Sequence, residues 1–142
     1  MTPPNDRSFL DTNILVYSFE AGGDARKRDT ARHLVEQALR TGNAVIGFQV
    51  VQEFLNVALR RHGMSVADAQ FYLRRVLLPL CEVLPSGTLY SEALSIADET
   101  GWAFYDSLIV GAALQAGCAR VLTEDLQHGR VVRGAVIVNP FL

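Results

Sequence analysis

Five short apolar runs constrain this chain more than any other feature, because longer stretches of helical period separate them. The runs are Ser8 to Leu10, "NAVIG", "CEVLP", "ARVLT" and "AVIVN". Strands that alternate with helices form a sheet covered on both faces, and right-handed crossovers make such strands parallel. The pattern predicts an α/β fold, with a central parallel sheet of about five strands flanked by helices. A chain of 142 residues, 49% of them apolar, suits a single core, so residues 1–142 read as one domain. Residues 1–7 read as a short N-terminal extension.

The helices have recognisable ends. "GDARKRDTARHLVEQALRTG" predicts a helix that buries Ala31, Leu34, Val35, Ala38 and Leu39 and stops at Gly42. "FQVVQEFLNVALRRHG" predicts another, ended by Gly63. Ser65 caps a third, "VADAQFYLRRVLLPL", expected to stop at Pro79. "TLYSEALSIADETG" and "YDSLIVGAALQAG" supply two more.

Against this frame, the acid in "SFLDTNILVYSFE" stands out: Asp11, Thr12 and Asn13 interrupt an apolar run. Ligands of open α/β sheets bind beyond the carboxyl ends of the strands, where Asp11 falls. "VLTEDLQHG" ends its strand at Thr123 and delivers Glu124 and Asp125 to the same edge. Asp106 opens a helix whose only polar residue between Leu108 and Ala116 is Gln115, so burial of that helix draws Asp106 inward. Glu53 lies on a helical stripe with Gln49, Asn56 and Arg60. Taken singly, Asp11, Asp106 and Asp125 also suit helix caps or Asx-turns, and Glu53 suits a solvated helix face. Taken together, converging carboxylates repel unless a cation neutralises them, and hard oxygen ligands favour Mg²⁺ or Mn²⁺ over zinc.

Other chemistries lack their residues. There is no G-x-x-x-x-G-K-[ST] and no G-x-G-x-x-G, so no phosphate cradle of either kind is encoded. His33, His62 and His128 have no ligand spacing, and Cys81 and Cys118 form no C-x-x-C, which reads as two reduced thiols. Ser107 lacks a nucleophile elbow and reads as a first-turn helix residue. A haloacid-dehalogenase-like phosphotransfer site requires a second Asp where this chain has Asn13, and a receiver domain requires a Lys near its last strand, far from Lys27. Trp102, Phe104 and Tyr105 read as core or rim packing, with base stacking as the alternative.

A net charge of −2 gives no global attraction to nucleic acid, so any such binding needs a local patch. Twelve of the thirteen basic residues are Arg, which suits forked phosphate contacts. Arg60, Arg61, Arg74 and Arg75, with the cluster Arg26, Lys27, Arg28 and Arg32, are the candidates; a solvated helix face is the plain alternative. "MTPPNDRS" lacks the apolar core of a signal peptide, and no apolar run approaches about 18 residues. The expectation is a soluble, cytoplasmic protein with no membrane contact.

The segments "FLDTNILVY", "QVVQEFLN", "YDSLIVGAA" and "LTEDLQHG", closed by "VIVNPF", resemble in order the motifs of the PIN-domain family, in its small single-domain form among VapC-like toxins of bacterial toxin–antitoxin pairs. The resemblance spans nearly the whole chain. It implies metal-dependent hydrolysis of RNA, with Asp11, Glu53, Asp106 and Asp125 as the acidic quartet and Thr12 and Asn13 as turn residues positioning Asp11. Asp11, Asp106 and Asp125 would ligate Mg²⁺ or Mn²⁺, Glu53 would complete the site, and Thr123 and Glu124 would support it. An antitoxin protein and a second copy of the chain are the implied partners. The family often carries a small hydroxyl residue before the glutamine of the second motif, where this chain has Gly47 and Phe48. A non-catalytic binding module on the same fold is the alternative.

Overall fold

The computed structural model describes residues 5–20 and 22–142, so positions 1–4 of the expected extension lie outside the described residues. Along the chain run β1 (Ser8–Leu10), α1 (Thr12–Phe19), α2 (Ala25–Thr41), β2 (Ala44–Gly47), α3 (Phe48–Arg61) and α4 (Val66–Tyr72). A π-helical turn (Leu73–Leu77) leads into α5 (Leu78–Leu80), followed by β3 (Cys81–Val83), α6 (Gly87–Thr100) and α7 (Phe104–Gln115). β4 (Arg120–Leu122), β5 (Val131–Val132) and β6 (Ala135–Val138) complete the order. The strands form one sheet in the order β3-β2-β1-β4-β6-β5.

The five anticipated strands are parallel; helices make the crossovers between β1, β2, β3 and β4, whereas residues 123–134 join β4 to β6 without a helix. β5 is an addition, antiparallel to β6. Its turn places Arg133 and Gly134 at φ of 49° and 90°, the left-handed pair that a tight hairpin needs. Two residues of strand are too few to leave a periodic signal, which is why "VV" escaped the sequence reading.

The helix α1 was also absent from that reading. Its eight residues follow β1 after one residue, so the apolar run contains a strand, an acid and a helix, and short apolar runs do not distinguish the two states. Pro79 does not stop the third expected helix. The chain stays helical to Leu80, and the π turn before the proline has the Leu78 N–H donating to the Leu73 carbonyl, five residues back. Leu39 is 41% exposed rather than buried, whereas Ala31, Val35 and Ala38 face the core.

Phe9 and Leu10 on β1, Ile46 on β2 and Ile137 on β6 are fully buried, as are Ile14, Leu15, Phe54 and Ile96 on helices. In α7 every residue from Ser107 to Ala113 is buried. Residues 5–7 are fastened to the fold: the Asn5 side-chain amide donates to the Gly117 carbonyl at 2.9 Å, and Arg7 reaches the Ala116 carbonyl at 2.7 Å and Glu82 at 2.5 Å. Cys81 and Cys118 are unbridged, and burial pushes the Cys118 thiol up to about 11. Among the described residues no helix is long and apolar enough to cross a membrane.

Candidate active site

Asp11 is carried to the carboxyl edge of the sheet by the central strand. Its own N–H donates to the Leu122 carbonyl of β4 at 3.0 Å, and as the residue before α1 it caps that helix, its Oδ1 accepting the Thr12 N–H at 2.7 Å. Oδ2 accepts the Thr123 hydroxyl at 2.8 Å. Thr123 is fully buried; its N–H donates to the Val138 carbonyl at 3.0 Å and its Oγ1 accepts the Asp125 N–H at 3.1 Å. One hydroxyl therefore joins Asp11 to the backbone of Asp125. With its side chain only 9% exposed, Asp11 is pushed up to about 6 by burial. The Thr123 and Thr12 hydrogen bonds hold it back, and the charges of Asp125 and Glu53 push it further up.

Glu53 enters from α3. Its Oε2 accepts the Thr12 hydroxyl at 2.7 Å and its Oε1 the Gln49 amide at 2.8 Å. The same amide nitrogen reaches the Tyr105 carbonyl of α7 at 3.3 Å. Asp106, in the first turn of α7, is half-buried and accepts no hydrogen bond among the described residues. Burial raises its carboxyl above the usual range, and the charges of Asp125 and Glu53 add to the rise. Asp125 is exposed, and its Oδ2 accepts the Asn13 amide at 3.1 Å. Thr12 and Asn13, expected as turn residues, thus occupy the first two helical positions of α1, where Thr12 serves Glu53 and Asn13 serves Asp125.

The charges of Glu53 and Asp125 act on both Asp11 and Asp106, and among the described residues no three acidic, histidine or cysteine side chains form a ready metal cage. Hydroxyl and amide groups hold three of the four carboxylates: Thr12 on Glu53, Asn13 on Asp125 and Thr123 on Asp11. Two amide oxygens beside the cluster, Asn13 Oδ1 and Gln49 Oε1, are buried without a hydrogen-bond partner among the described residues. The amide orientations are fixed, because the facing groups, Asp125 Oδ2 for Asn13 and Glu53 Oε1 with the Tyr105 carbonyl for Gln49, are all acceptors. Carboxylate, hydroxyl and orphaned amide oxygens make a donor set suited to a hard divalent cation.

Glu124 is engaged elsewhere. It accepts the Tyr17 hydroxyl and the Lys27 ammonium, the latter at 3.0 Å, and Lys27 lies 5.1 Å from the centre of the Tyr17 ring and 5.7 Å from that of Phe141. Lys27, a candidate phosphate contact, is thus committed to an ion pair. Arg28 lies 3.8 Å from Asp29, and Arg32 donates to the Ser18 carbonyl at 2.8 Å. Arg60 and Arg61 end α3 and Arg74 and Arg75 lie in the π turn; all four are exposed, and Arg75 covers the Phe71 ring at 5.4 Å. None of these four pairs with a carboxylate of the site among the described residues. The sequence reading placed Gln49 on the Glu53 stripe without assigning it a role. Its position four residues before Glu53 was the available signal.

The sequence matches the family model for the PIN domain over residues 8–134. No curated protein matches it at a significant level. Among solved structures, a toxin–antitoxin complex from Klebsiella pneumoniae is similar at a TM-score of 0.68 and 18% identity, over 94% of this chain and 97% of that one. VapC20 from Mycobacterium tuberculosis, described as a sarcin-ricin loop cleaving toxin, is similar at 0.60 and 24%, over 83% and 91%. VapBC2 from Rickettsia felis, bound to a DNA fragment from its promoter, is similar at 0.62 and 15%, over 92% and 96%. At these identities the likeness is one of fold.

Proposed function

Because the chain belongs to the PIN-domain family, we propose that it is a metal-dependent ribonuclease that hydrolyses RNA phosphodiester bonds, and the toxin of a toxin–antitoxin pair. The observation that carries this reading is a carboxylate, Asp11, kept almost wholly buried at a strand end while Glu53 and Asp125 press their charge on it. Such an arrangement is costly for folding alone and useful for holding a cation. The similar proteins described as toxin–antitoxin complexes support a protein partner, and the loop-cleaving toxin supports RNA as the substrate class.

Asp11, Asp106 and Asp125 would hold Mg²⁺ or Mn²⁺, with Glu53 completing the site. When bound, the ion supplies charge neutralisation at the phosphodiester and acidity for an attacking water. The chain's own residues set the stage. Thr12 and Gln49 hold both oxygens of Glu53, so that carboxylate is oriented to accept a proton from water. Thr123 fixes Asp11 and the backbone of Asp125 with one hydroxyl, and Asn13 holds the Asp125 carboxylate. Arg60, Arg61, Arg74 and Arg75 would steer phosphates without reading sequence.

The test is cleavage of a mixed RNA pool by the wild type and by Asp106→Asn, with Mn²⁺ and with EDTA. Cleavage that needs both the metal and Asp106 is the expected result. Equal cleavage by both proteins would reveal a contaminant. Calorimetry that detects no Mn²⁺ binding at millimolar metal would favour a non-catalytic binding module.

A further inference from the structure

Immediately before Asp106, α7 presents two aromatic rings to solvent. Tyr105 is 68% exposed and Phe104 37%, with ring centres 5.7 Å apart and planes inclined at 64°. Core or rim packing was the expectation for both, with base stacking as the alternative; neither ring is buried in the core. Trp102, three residues before Tyr105, packs partly on the core, with the Arg130 guanidinium 5.0 Å from its ring centre. The segment leading to the acidic cluster thus combines open ring faces with a cation.

The backbone under Tyr105 is fixed to the site. Its carbonyl accepts the amide of Gln49, whose side chain is buried and whose nitrogen also holds Glu53. Ser107, wholly buried two residues further on, donates both its N–H and its hydroxyl to the Ala103 carbonyl, each at 3.0 Å. Tyr105 and Asp106 are therefore held in one frame with Glu53. Two rings are far smaller than a stable protein contact, which buries on the order of 1,000 Å² or more. A single nucleobase matches that size, and every base has a π face.

We infer that Tyr105, backed by Phe104, is a stacking platform for an unpaired nucleobase of the RNA next to the phosphate handled at Asp106. This rests on the ribonuclease reading and adds a requirement: the base must leave its helical stack, so paired stems are excluded and loops or single strands admitted. The aromatic ring contributes contact area without hydrogen-bond readout, so it selects for an available base rather than for its identity.

The test compares binding of two labelled ten-nucleotide RNAs in Mn²⁺, one of adenylate and one with the same phosphates but abasic at every position. Both are measured in the Asp106→Asn background to prevent cleavage, with the Tyr105→Ala and Tyr105→Phe changes added. Tyr105 is exposed, so its removal leaves the circular dichroism spectrum unchanged. Tyr105→Ala is expected to weaken adenylate binding about tenfold or more, leave abasic binding unaltered, and lose the difference between the two. Tyr105→Phe retains it. Unchanged adenylate affinity in Tyr105→Ala, or an equal loss on both RNAs, overturns the platform while leaving the ribonuclease reading intact. Altered self-association with RNA affinity unchanged assigns the rings to a protein contact and overturns it too. If neither RNA binds and the wild type cleaves no RNA, the ribonuclease reading falls and the platform with it.

Discussion

Asp11 and Asp106 share one acidic edge and are held in different ways. Asp11 is buried, caps α1 and accepts hydrogen bonds on both oxygens. Asp106 is half-buried in the first turn of α7, with no hydrogen bond to its carboxylate among the described residues. The first is fixed by the protein before any ligand arrives. The second keeps its carboxylate oxygens free of hydrogen bonds within the described residues. The difference follows from position: Asp11 ends the central strand β1 and bonds to its neighbour β4, while Asp106 lies at the exposed start of an otherwise buried helix.

The largest effect expected from breaking this comparison is on catalysis. Asp106→Asn keeps the shape and removes a negative ligand, so cleavage should fall roughly a hundredfold or more while the fold is retained. Asp11→Asn should be equally inactive, and Asn remains a good helix cap. A melting scan beside the cleavage assay separates loss of function from loss of fold.

The next effect is on stability and distinguishes the two acids. The folded-state value of Asp11 is raised, so the native protein binds its proton more tightly than the unfolded chain does, and stability without metal should fall as pH rises from about 4 to about 6. The shift from the usual 3.8 to about 6 corresponds to about 3 kcal/mol. Asp11→Asn should flatten that slope and melt higher than the wild type at pH 7 without metal. Asp106 is raised in the same direction, so Asp106→Asn should reduce the slope further. A stability that instead rises through this window would contradict the burial of Asp11. Mn²⁺ should remove the slope, because a cation favours the ionised forms.

The Thr123 hydroxyl offers a sharper probe. Thr123→Val takes a partner from Asp11 and another from the Asp125 N–H inside the fold, which should cost about 1–3 kcal/mol in denaturant unfolding. The same change should raise Asp11 further, observable as a steeper loss of stability toward neutral pH. Glu124→Gln, at an ion pair partly open to solvent, should cost less.

Smallest of all should be the exposed arginines. Arg60→Ala should leave unfolding within about 0.5 kcal/mol of the wild type. Its effect should appear in RNA binding, where losing one phosphate contact lowers the slope of log affinity against log salt by about 0.7 for a single strand. An unchanged slope would assign Arg60 to the solvated helix face.

How much of this was legible follows from where each signal lies in the chain. Asp11 was legible because a strand end is a local pattern and its chemistry is fixed by fold class. Helix α2 and its Gly42 stop were legible from periodicity and one glycine at φ 74°. The identity of α1 was not, since eight residues after an acid, five of them apolar, carry no period long enough to read. Nor was Glu124's partner, because Lys27 lies 97 positions away in sequence and only the fold brings the two together. For Phe104 and Tyr105 the sequence left core, rim and base stacking open for a similar reason: only the finished surface shows which rings remain uncovered.

The central place of β1 has a consequence in time. Phe9 pairs with Val45 on one side and Val121 on the other, so the strand bearing Asp11 waits for a partner more than a hundred residues downstream. At 5–20 residues per second, a growing chain would carry Asp11 for roughly 10 s before β4 and Thr123 exist to fix it. Pairing across so long a loop is also intrinsically slow. The acidic edge is therefore among the last features of the fold to be completed.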